Sequence, residues 1–262
     1  MYILNGNLIS NNNIELSIDD HCLNFGSGIF ETIKIVNDSP QFFKEHYMRL
    51  VNSSRFFGRE LPYSFLELEN MVNTLLSEEK IDAIKVLYAF GKEENYIIIK
   101  GRTFDFDSKL LSCGVSLNIC EYGRNSKDFM LRHKTTNYMG NNYLQNSKKD
   151  VYETIYLNEM GNITEGSKSN IFFIDDQRII TPSVEQGILP GIMRGKIIES
   201  LKGRSLDVIE DEIGVSDICK YKGAFISNSL IGAVPVKKLG AADYELDSFS
   251  ILGEYLKKDG IL

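Results

Sequence analysis

The pattern of apolar and polar positions divides the first half of the chain into short strands and amphipathic helices. Asn5-Gly6 lies between two short apolar runs and predicts a hairpin near residue 1. β-Branched and apolar residues alternate from Ile29 to Val36, which is typical of a strand. Further strands are predicted at Gln41–Phe43, where the chain turns back onto Val36, and at Ala83–Phe90 and Tyr96–Lys100.

Two segments between these strands change to a helical period. From Lys44 to Phe57 the apolar side chains recur every three or four residues, and Gly58 is expected directly after the end of this helix. Ser64 is expected to cap a second helix that runs to Ser77, because a serine hydroxyl accepts hydrogen bonds from the first turn. The first half of the chain therefore combines strands and helices in an α+β arrangement.

The second half begins after a polar stretch without periodicity at residues 121–127, which we interpret as a linker. The elements predicted after it are a helix over Tyr138–Asp150, a hairpin with its turn at Asn158–Gly161, a strand over Asn170–Ile174 and a helix that begins at Pro190. We predict a two-lobed protein: an α+β lobe over 1–120, the linker 121–127 and an α/β lobe over 128–262. Ligands commonly bind between such lobes.

Composition and charge exclude several classes of protein. The formal charge of −7 argues against a nucleic-acid partner, which would require a basic patch. No apolar stretch approaches the length of a membrane span, and the segment after Met1 does not resemble a secretory signal, so we expect a cytoplasmic protein. The scattered cysteines are then expected to be reduced and mostly buried, and the histidines show no metal-ligand spacing, so no metal site is predicted.

Five segments, taken in their order along the chain, carry the functional signal. They are Phe25-Gly-Ser-Gly-Ile-Phe-Glu-Thr32, His133-Lys-Thr-Thr-Asn-Tyr138, Thr164-Glu-Gly-Ser-Lys-Ser-Asn-Ile171, Leu189-Pro-Gly-Ile-Met-Arg194 and Ile226-Ser-Asn-Ser-Leu-Ile-Gly-Ala-Val-Pro235. This combination resembles the fold type IV pyridoxal-phosphate enzymes: branched-chain aminotransferases, D-amino-acid aminotransferases and 4-amino-4-deoxychorismate lyases. The resemblance implies pyridoxal 5′-phosphate as cofactor, a cofactor site between the lobes and a homodimer that acts on a small molecule.

Lys134 and Glu165 match the two residues of this family that contact the cofactor ring. The resemblance assigns Lys134 to the Schiff base and to proton transfer. A lysine reacts with a carbonyl only as the free amine, which requires burial or a neighbouring cation. Glu165 matches the carboxylate that pairs with the pyridine nitrogen. A solvated lysine and a surface turn carboxylate are the ordinary alternatives for such residues.

The resemblance assigns the remaining cofactor contacts mainly to the phosphate. Arg49 belongs to His46-Tyr-Met-Arg-Leu50, which matches the family pattern H-x-x-R-L, and a guanidinium can bind phosphate through two parallel hydrogen bonds. His46 shares its helix face and is expected to be structural. The backbone N–H groups of Ile192 and Met193 open a helix and so favour an anion. Ser229 matches a phosphate-binding hydroxyl, with Asn228 beside it.

Tyr138 and Thr32 complete the predicted site. Tyr138 is similar to a tyrosine that contacts the phenolic oxygen of the cofactor, although its spacing from the lysine is one residue shorter. Thr32 matches a threonine that the lyases place near the Schiff-base lysine, and a strand threonine that only packs on its neighbours is the alternative. Asn170 is expected to hold backbone rather than cofactor.

Three residues favour the lyases within the family. Phe90 stands where D-amino-acid aminotransferases carry a carboxylate-binding arginine, Asn228-Ser229-Leu230 replaces the aminotransferase pattern, and Thr32 replaces a glycine. The favoured activity is 4-amino-4-deoxychorismate lyase, with p-aminobenzoate and pyruvate as products, and a place in folate synthesis. An aminotransferase acting on branched-chain or D-amino acids is the alternative, with Lys85 or Tyr88 as candidates for its substrate carboxylate. A non-catalytic pyridoxal-phosphate-binding protein is the alternative of another class.

Overall fold

The computed structural model describes residues 1–11, 13–147, 150–176 and 178–262. The chain divides into two compact units: unit one contains Met1–Asp105 and His133–Tyr138, and unit two contains Phe106–Arg132 and Met139–Leu262. This division differs from the predicted one, because residues 106–120 and the expected linker 121–127 lie in unit two. The segment that carries Lys134 joins unit one, where Thr135 pairs with Ile29 and the Phe30 N–H donates to the Lys134 carbonyl.

Unit one is an antiparallel sheet with helices packed on one face. Its strands are β1 (Tyr2–Leu4), β2 (Asn7–Ile9), β3 (Gly28–Val36), β4 (Ser39–Pro40), β5 (Ala83–Phe90) and β6 (Asn95–Arg102), and its helices are α1 (His21–Phe25), α2 (Phe43–Phe56) and α3 (Phe65–Glu78). The strand order is β2-β1-β6-β5-β3-β4. Residues such as Ile33, Val72 and Ile84 form a buried core between the sheet and the two longer helices.

Most predicted elements of unit one are confirmed. The N-terminal hairpin turns at Asn5 and Gly6, which both have positive φ. Ser64 caps α3 and forms a reciprocal capping box with Glu67. The predicted strand at Gln41–Phe43 is wrong: Ser39 and Pro40 pair with β3 instead, and α2 begins at Phe43.

Unit two contains a sheet that closes on itself. Its strands are β7 (Val115–Ile119), β8 (Glu153–Leu157), β9 (Ile163–Gly166), β10 (Asn170–Asp175), β11 (Arg178–Pro182), β12 (Asp207–Asp211), β13 (Gly223–Asn228), β14 (Gly232–Leu239) and β15 (Ala242–Asp243). They follow the order β12-β11-β10-β13-β14-β7-β8-β9, β15 pairs with β14, and a β9–β10 pairing completes the ring. The helices are α4 (Leu110–Cys113), α5 (Met139–Ser147), α6 (Ile192–Lys202) and α7 (Asp247–Lys258), with 3-10 turns at Phe129–Arg132, Val184–Gln186 and Val215–Lys220.

Two predictions for this part of the chain need correction or completion. Helix α6 begins at Ile192 with Gly191 as its N-cap, so Pro190 precedes the helix rather than opening it. The helix predicted over Tyr138–Asp150 is observed as Met139–Ser147, and Lys148 and Lys149 lie outside the described residues.

The surface of the described residues gives two further findings. Cys113 and Cys219 are exposed, Cys22 is partly buried and Cys120 is buried, so the expectation of mostly buried thiols is wrong. Within the described ranges, no helix has the length and apolar character to span a bilayer, and no group of His, Cys, Asp and Glu side chains could hold a metal ion.

Candidate active site

Lys134 lies on an aromatic surface of unit one. Its Nζ is 4.5 Å from the centre of the Phe30 ring and 5.4 Å from that of Tyr138, and the two rings are in edge contact. Backbone pairing with β3 fixes the lysine, since the Phe30 N–H donates to its carbonyl and the Thr136 N–H donates to the carbonyl of Gly28. The structure therefore brings Lys134 and Tyr138 together, as the sequence predicts.

The same face of the sheet carries a row of basic residues. Lys85 lies directly opposite Thr32 on β3 and Lys100 on β6, and its Nζ is 4.4 Å from the Phe30 ring centre. Directly opposite residues of antiparallel strands share a face. We call Lys34, Lys85, Lys100 and Arg102 the basic face. Burial lowers the pKa of the Lys85 amine, and the nearby charge of Arg102 lowers it further. Tyr88 lies on the other face with its hydroxyl on the Glu60 carbonyl, so of the two candidates only Lys85 is on the side of Phe30.

Arg49 and His46 meet a buried carboxylate that the sequence prediction missed. The Arg49 Nε and Nη2 donate to Glu31 Oε1 and Oε2 at 2.8 and 2.7 Å, and His46 Nδ1 lies 2.6 Å from Oε2. His46 is thus structural, as expected. Phosphate binding by Arg49 stays a prediction, and Glu31 now accounts for the orientation of its guanidinium. An acidic residue inside an apolar strand was the available signal.

The buried Glu31 makes the free energy of unfolding depend on pH. Although burial raises the pKa of its carboxyl group, the charge and hydrogen bonds of Arg49 and His46 outweigh burial and lower it to about 2. A lowered folded-state pKa means that the unfolded chain binds the extra proton first, so this contribution is present above about pH 4.5 and is lost as the pH falls towards 2. The shift corresponds to about 3 kcal/mol of unfolding free energy.

Denaturant unfolding of the wild type and the Glu31→Gln variant between pH 3 and 7 measures this effect. We expect the stability difference between the two proteins to be largest near neutral pH and to shrink steadily below pH 4.5. A difference that stays constant over this range would contradict the assignment of the ion pair.

Glu165 accepts hydrogen bonds from Arg124, Leu189 and Asn170 in unit two. Its Oε1 accepts from Arg124 Nη1 at 2.8 Å, and its Oε2 accepts from the Leu189 N–H at 3.0 Å and from Asn170 Nδ2 at 3.2 Å. Arg124 in turn stacks on Tyr156, with its guanidinium carbon 3.4 Å from the ring centre. Arg124 lies inside the predicted linker, and no local pattern marks it, because its partner is 41 residues away.

These surroundings fit a ring nitrogen that donates a hydrogen bond. An ionised carboxylate only accepts hydrogen bonds, so it suits a protonated ring nitrogen, which is a donor. Ser227 lies opposite Asn170 on the neighbouring strand, and its buried hydroxyl lacks a hydrogen-bond partner among the residues that the structure describes. Asn170 also donates to the Leu189 carbonyl, which agrees with its expected role in holding backbone.

The residues of unit two that are predicted to bind the cofactor phosphate lie at two turns of the chain. Ile192 and Met193 form the first turn of α6, whose N-terminal N–H groups have no partner within the helix. Gly191 is required there, since a Cβ would lie 2.1 Å from Asn170 Oδ1. Asn228 accepts from the N–H groups of Leu230 and Ile231 and so shapes the loop that carries Ser229.

Comparison with known proteins identifies the family of this chain. The model of the family described as amino-transferase class IV matches residues 28–239. An aminodeoxychorismate lyase of Bacillus subtilis is 26% identical over 265 residues, covering 93% of this chain and 88% of that protein. A D-alanine aminotransferase of Listeria monocytogenes is also 26% identical, over 255 residues, with 89% and 86% covered. The solved branched-chain amino acid aminotransferase of Escherichia coli superposes with a TM-score of 0.88 at 20% identity, covering 100% of this chain and 93% of that one.

Proposed function

Because the chain belongs to the amino-transferase class IV family, we propose that it is a lyase that converts 4-amino-4-deoxychorismate to p-aminobenzoate and pyruvate. The family uses pyridoxal phosphate, and its members named above are lyases or aminotransferases. The proposal therefore concerns which of these reactions the chain performs and which of its residues perform it. A homodimer in the cytoplasm is part of the same proposal, and light scattering of the purified protein tests the dimer.

The basic face is the observation that carries the proposal. The lyase substrate has two carboxylates, one on its ring and one on the enolpyruvyl group that leaves. Lys85 Nζ lies 4.4 Å from the centre of the Phe30 ring, which Lys134 also approaches, and Lys34, Lys100 and Arg102 extend the positive charge of Lys85 along the same sheet face. Such a row of cations suits a dianionic substrate better than an amino acid with one carboxylate and an apolar side chain.

We assign the cofactor contacts residue by residue, to the positions that match the family. Lys134 would hold the cofactor covalently, Tyr138 would lie at its phenolic oxygen and Glu165 would pair with its ring nitrogen. Its phosphate is assigned to the Arg49 guanidinium, the N–H groups of Ile192 and Met193, the Ser229 hydroxyl and Asn228. When bound, the cofactor supplies an electron sink for the carbon that loses its proton.

The chain's own contribution is to position the substrate and to move a proton. Lys134 Nζ accepts the proton from C4 of the substrate, and the Phe30 ring limits where this amine can lie. Lys85 binds a carboxylate and so orients the ring. Thr32, which lies opposite Lys85, is assigned to orienting Lys134. The bond between the ring and the enolpyruvyl oxygen then breaks, the departing enolate takes up a proton to become pyruvate, and formation of the aromatic product drives the reaction.

The direct test is product release from 4-amino-4-deoxychorismate by purified protein supplied with pyridoxal phosphate. We expect equal amounts of p-aminobenzoate and pyruvate. If neither product forms while cofactor is bound, the lyase assignment fails. Amino transfer from branched-chain or D-amino acids to a 2-oxo acid would then identify an aminotransferase, and its absence would leave a non-catalytic cofactor-binding protein.

Lys85→Ala tests the role of the basic face. We expect kcat/KM for the lyase substrate to fall roughly 10–100-fold, the usual effect of losing one hydrogen bond to a charged group. Lys92→Ala is the matched control, since Lys92 is an exposed lysine of unit one that pairs with Asp19, and it should leave the kinetics unchanged. An unchanged kcat/KM for Lys85→Ala would remove this lysine from the substrate site.

A further inference from the structure

Glu153 is a buried carboxylate that the proposed chemistry does not use. It lies on β8 and is 4% exposed, and burial raises the pKa of its carboxyl group. All of its recorded hydrogen bonds come from one turn: Oε1 accepts from the Lys168 N–H at 2.5 Å and the Ser167 hydroxyl at 3.2 Å, and Oε2 accepts from the Ser169 hydroxyl at 2.6 Å. Burying a carboxylate is unfavourable unless donors surround it, as they do here.

The turn Gly166–Ser169 fits closely around this carboxylate. The Gly166 N–H donates to the Ser169 carbonyl, which closes the turn. A Cβ at residue 166 would lie 2.5 Å from Glu153 Oε1, so only glycine leaves room for the carboxylate. The turn begins directly after Glu165 and ends directly before Asn170, two residues already joined by a hydrogen bond.

The backbone of the turn is also connected to the surroundings of Glu165 and to the loop that carries Ser229. The Ser167 carbonyl accepts from Asn141 Nδ2 at 2.6 Å, and Asn141 Oδ1 accepts from Arg124, the partner of Glu165. The Lys168 carbonyl accepts from Asn228 Nδ2 at 3.2 Å, and Asn228 holds the loop that carries Ser229.

We propose that Glu153 is a positioning residue that fixes the turn Gly166–Ser169 and thereby sets the places of Glu165 and of the Ser229 loop. The proposal rests on the proposed cofactor roles of Glu165 and Ser229. A carboxylate that only stabilised the fold would affect unfolding without changing the affinity of folded protein for the cofactor.

The test measures cofactor binding to, and hydrogen exchange of, protein prepared without cofactor. It therefore does not depend on which reaction the enzyme catalyses. Glu153→Gln replaces one carboxylate oxygen, which accepts hydrogen bonds, by an NH2 group. This group would face the N–H and hydroxyl donors of the turn. We expect about tenfold or greater weakening of pyridoxal-phosphate binding at a temperature where the variant is folded. We also expect faster hydrogen exchange at the amides of Leu189, Leu230 and Ile231, which report on the surroundings of Glu165 and Ser229. Ser169→Ala, which removes one donor and keeps the carboxylate, should move both readouts less in the same direction.

Glu159→Gln is the matched control. Glu159 is an exposed carboxylate of unit two that accepts from the N–H and hydroxyl of Ser126, and its variant should leave both readouts unchanged. If Glu153→Gln does not fold, Ser169→Ala decides the question. Wild-type cofactor affinity and wild-type exchange in the folded variants would overturn the proposal. If exchange accelerates while cofactor affinity is unchanged, the positioning role stands and the cofactor roles of Glu165 and Ser229 fail instead.

Discussion

The Lys134→Ala variant is expected to lose turnover of 4-amino-4-deoxychorismate by about a thousandfold or more. The substitution removes both the covalent attachment point and the proposed base. The Phe30 and Tyr138 rings, which lie beside the Lys134 amine in the wild type, are unchanged. Cofactor should still bind through its phosphate contacts, but without the absorbance of the lysine-bound form. Turnover and absorbance of the cofactor-loaded variant are the measurements.

Two comparisons make this result specific. Lys222→Ala, which removes an exposed lysine paired with Asp176, should retain wild-type turnover. A small primary amine added to Lys134→Ala should restore part of the lost rate, since it can replace the missing base in solution. Retention of more than a tenth of wild-type turnover by Lys134→Ala would contradict the assignment of this lysine.

The Glu165→Gln variant is expected to lower kcat by about 10²- to 10³-fold, comparable to removing one electrostatic contact at a reacting centre. Glutamine preserves the shape and an acceptor oxygen but removes the negative charge opposite Arg124. Cofactor affinity should change much less than kcat, because the phosphate contacts remain. Steady-state kinetics and cofactor titration separate these two effects, and an unchanged kcat would remove the role of Glu165.

A double-mutant cycle with Arg124→Met shows how far Glu165 depends on its partner. Arg124 makes an ion pair with Glu165 and packs on Tyr156, and methionine retains part of that packing. We expect the two substitutions to be non-additive in kcat, because the residues contact each other. Additive effects would show that Arg124 acts on the fold independently of Glu165.

Elements with local signals were predictable from the sequence. The capping box of Ser64 and Glu67 sits beside an amphipathic run and defines the start of α3 without any distant contact. The hairpin at Asn5-Gly6 is equally local, since its turn needs two residues with positive φ. Helix α7 also has a local signal, although it is absent from the predicted elements: Phe249, Leu252 and Leu256 recur at helical spacing on its buried side.

Features that depend on distant partners were not predictable in this way. Phe42 adopts a positive φ and ends the hairpin earlier than its apolar neighbours suggest, so Phe43 enters a helix instead of a strand. The segment around Lys134 follows the polar stretch in sequence, but its backbone pairs with β3, more than a hundred residues earlier. Arg124 contacts Glu165, and Glu153 contacts the turn after Glu165, only because the fold brings distant segments together.

The most direct test of the central claim is borohydride reduction of the protein loaded with pyridoxal phosphate, followed by mass mapping of its peptides. Reduction makes the bond between cofactor and lysine permanent, so the modified peptide identifies the attachment site. We predict a single cofactor adduct on the peptide that contains Lys134. An adduct on another lysine, with Lys134 unmodified, would contradict the account.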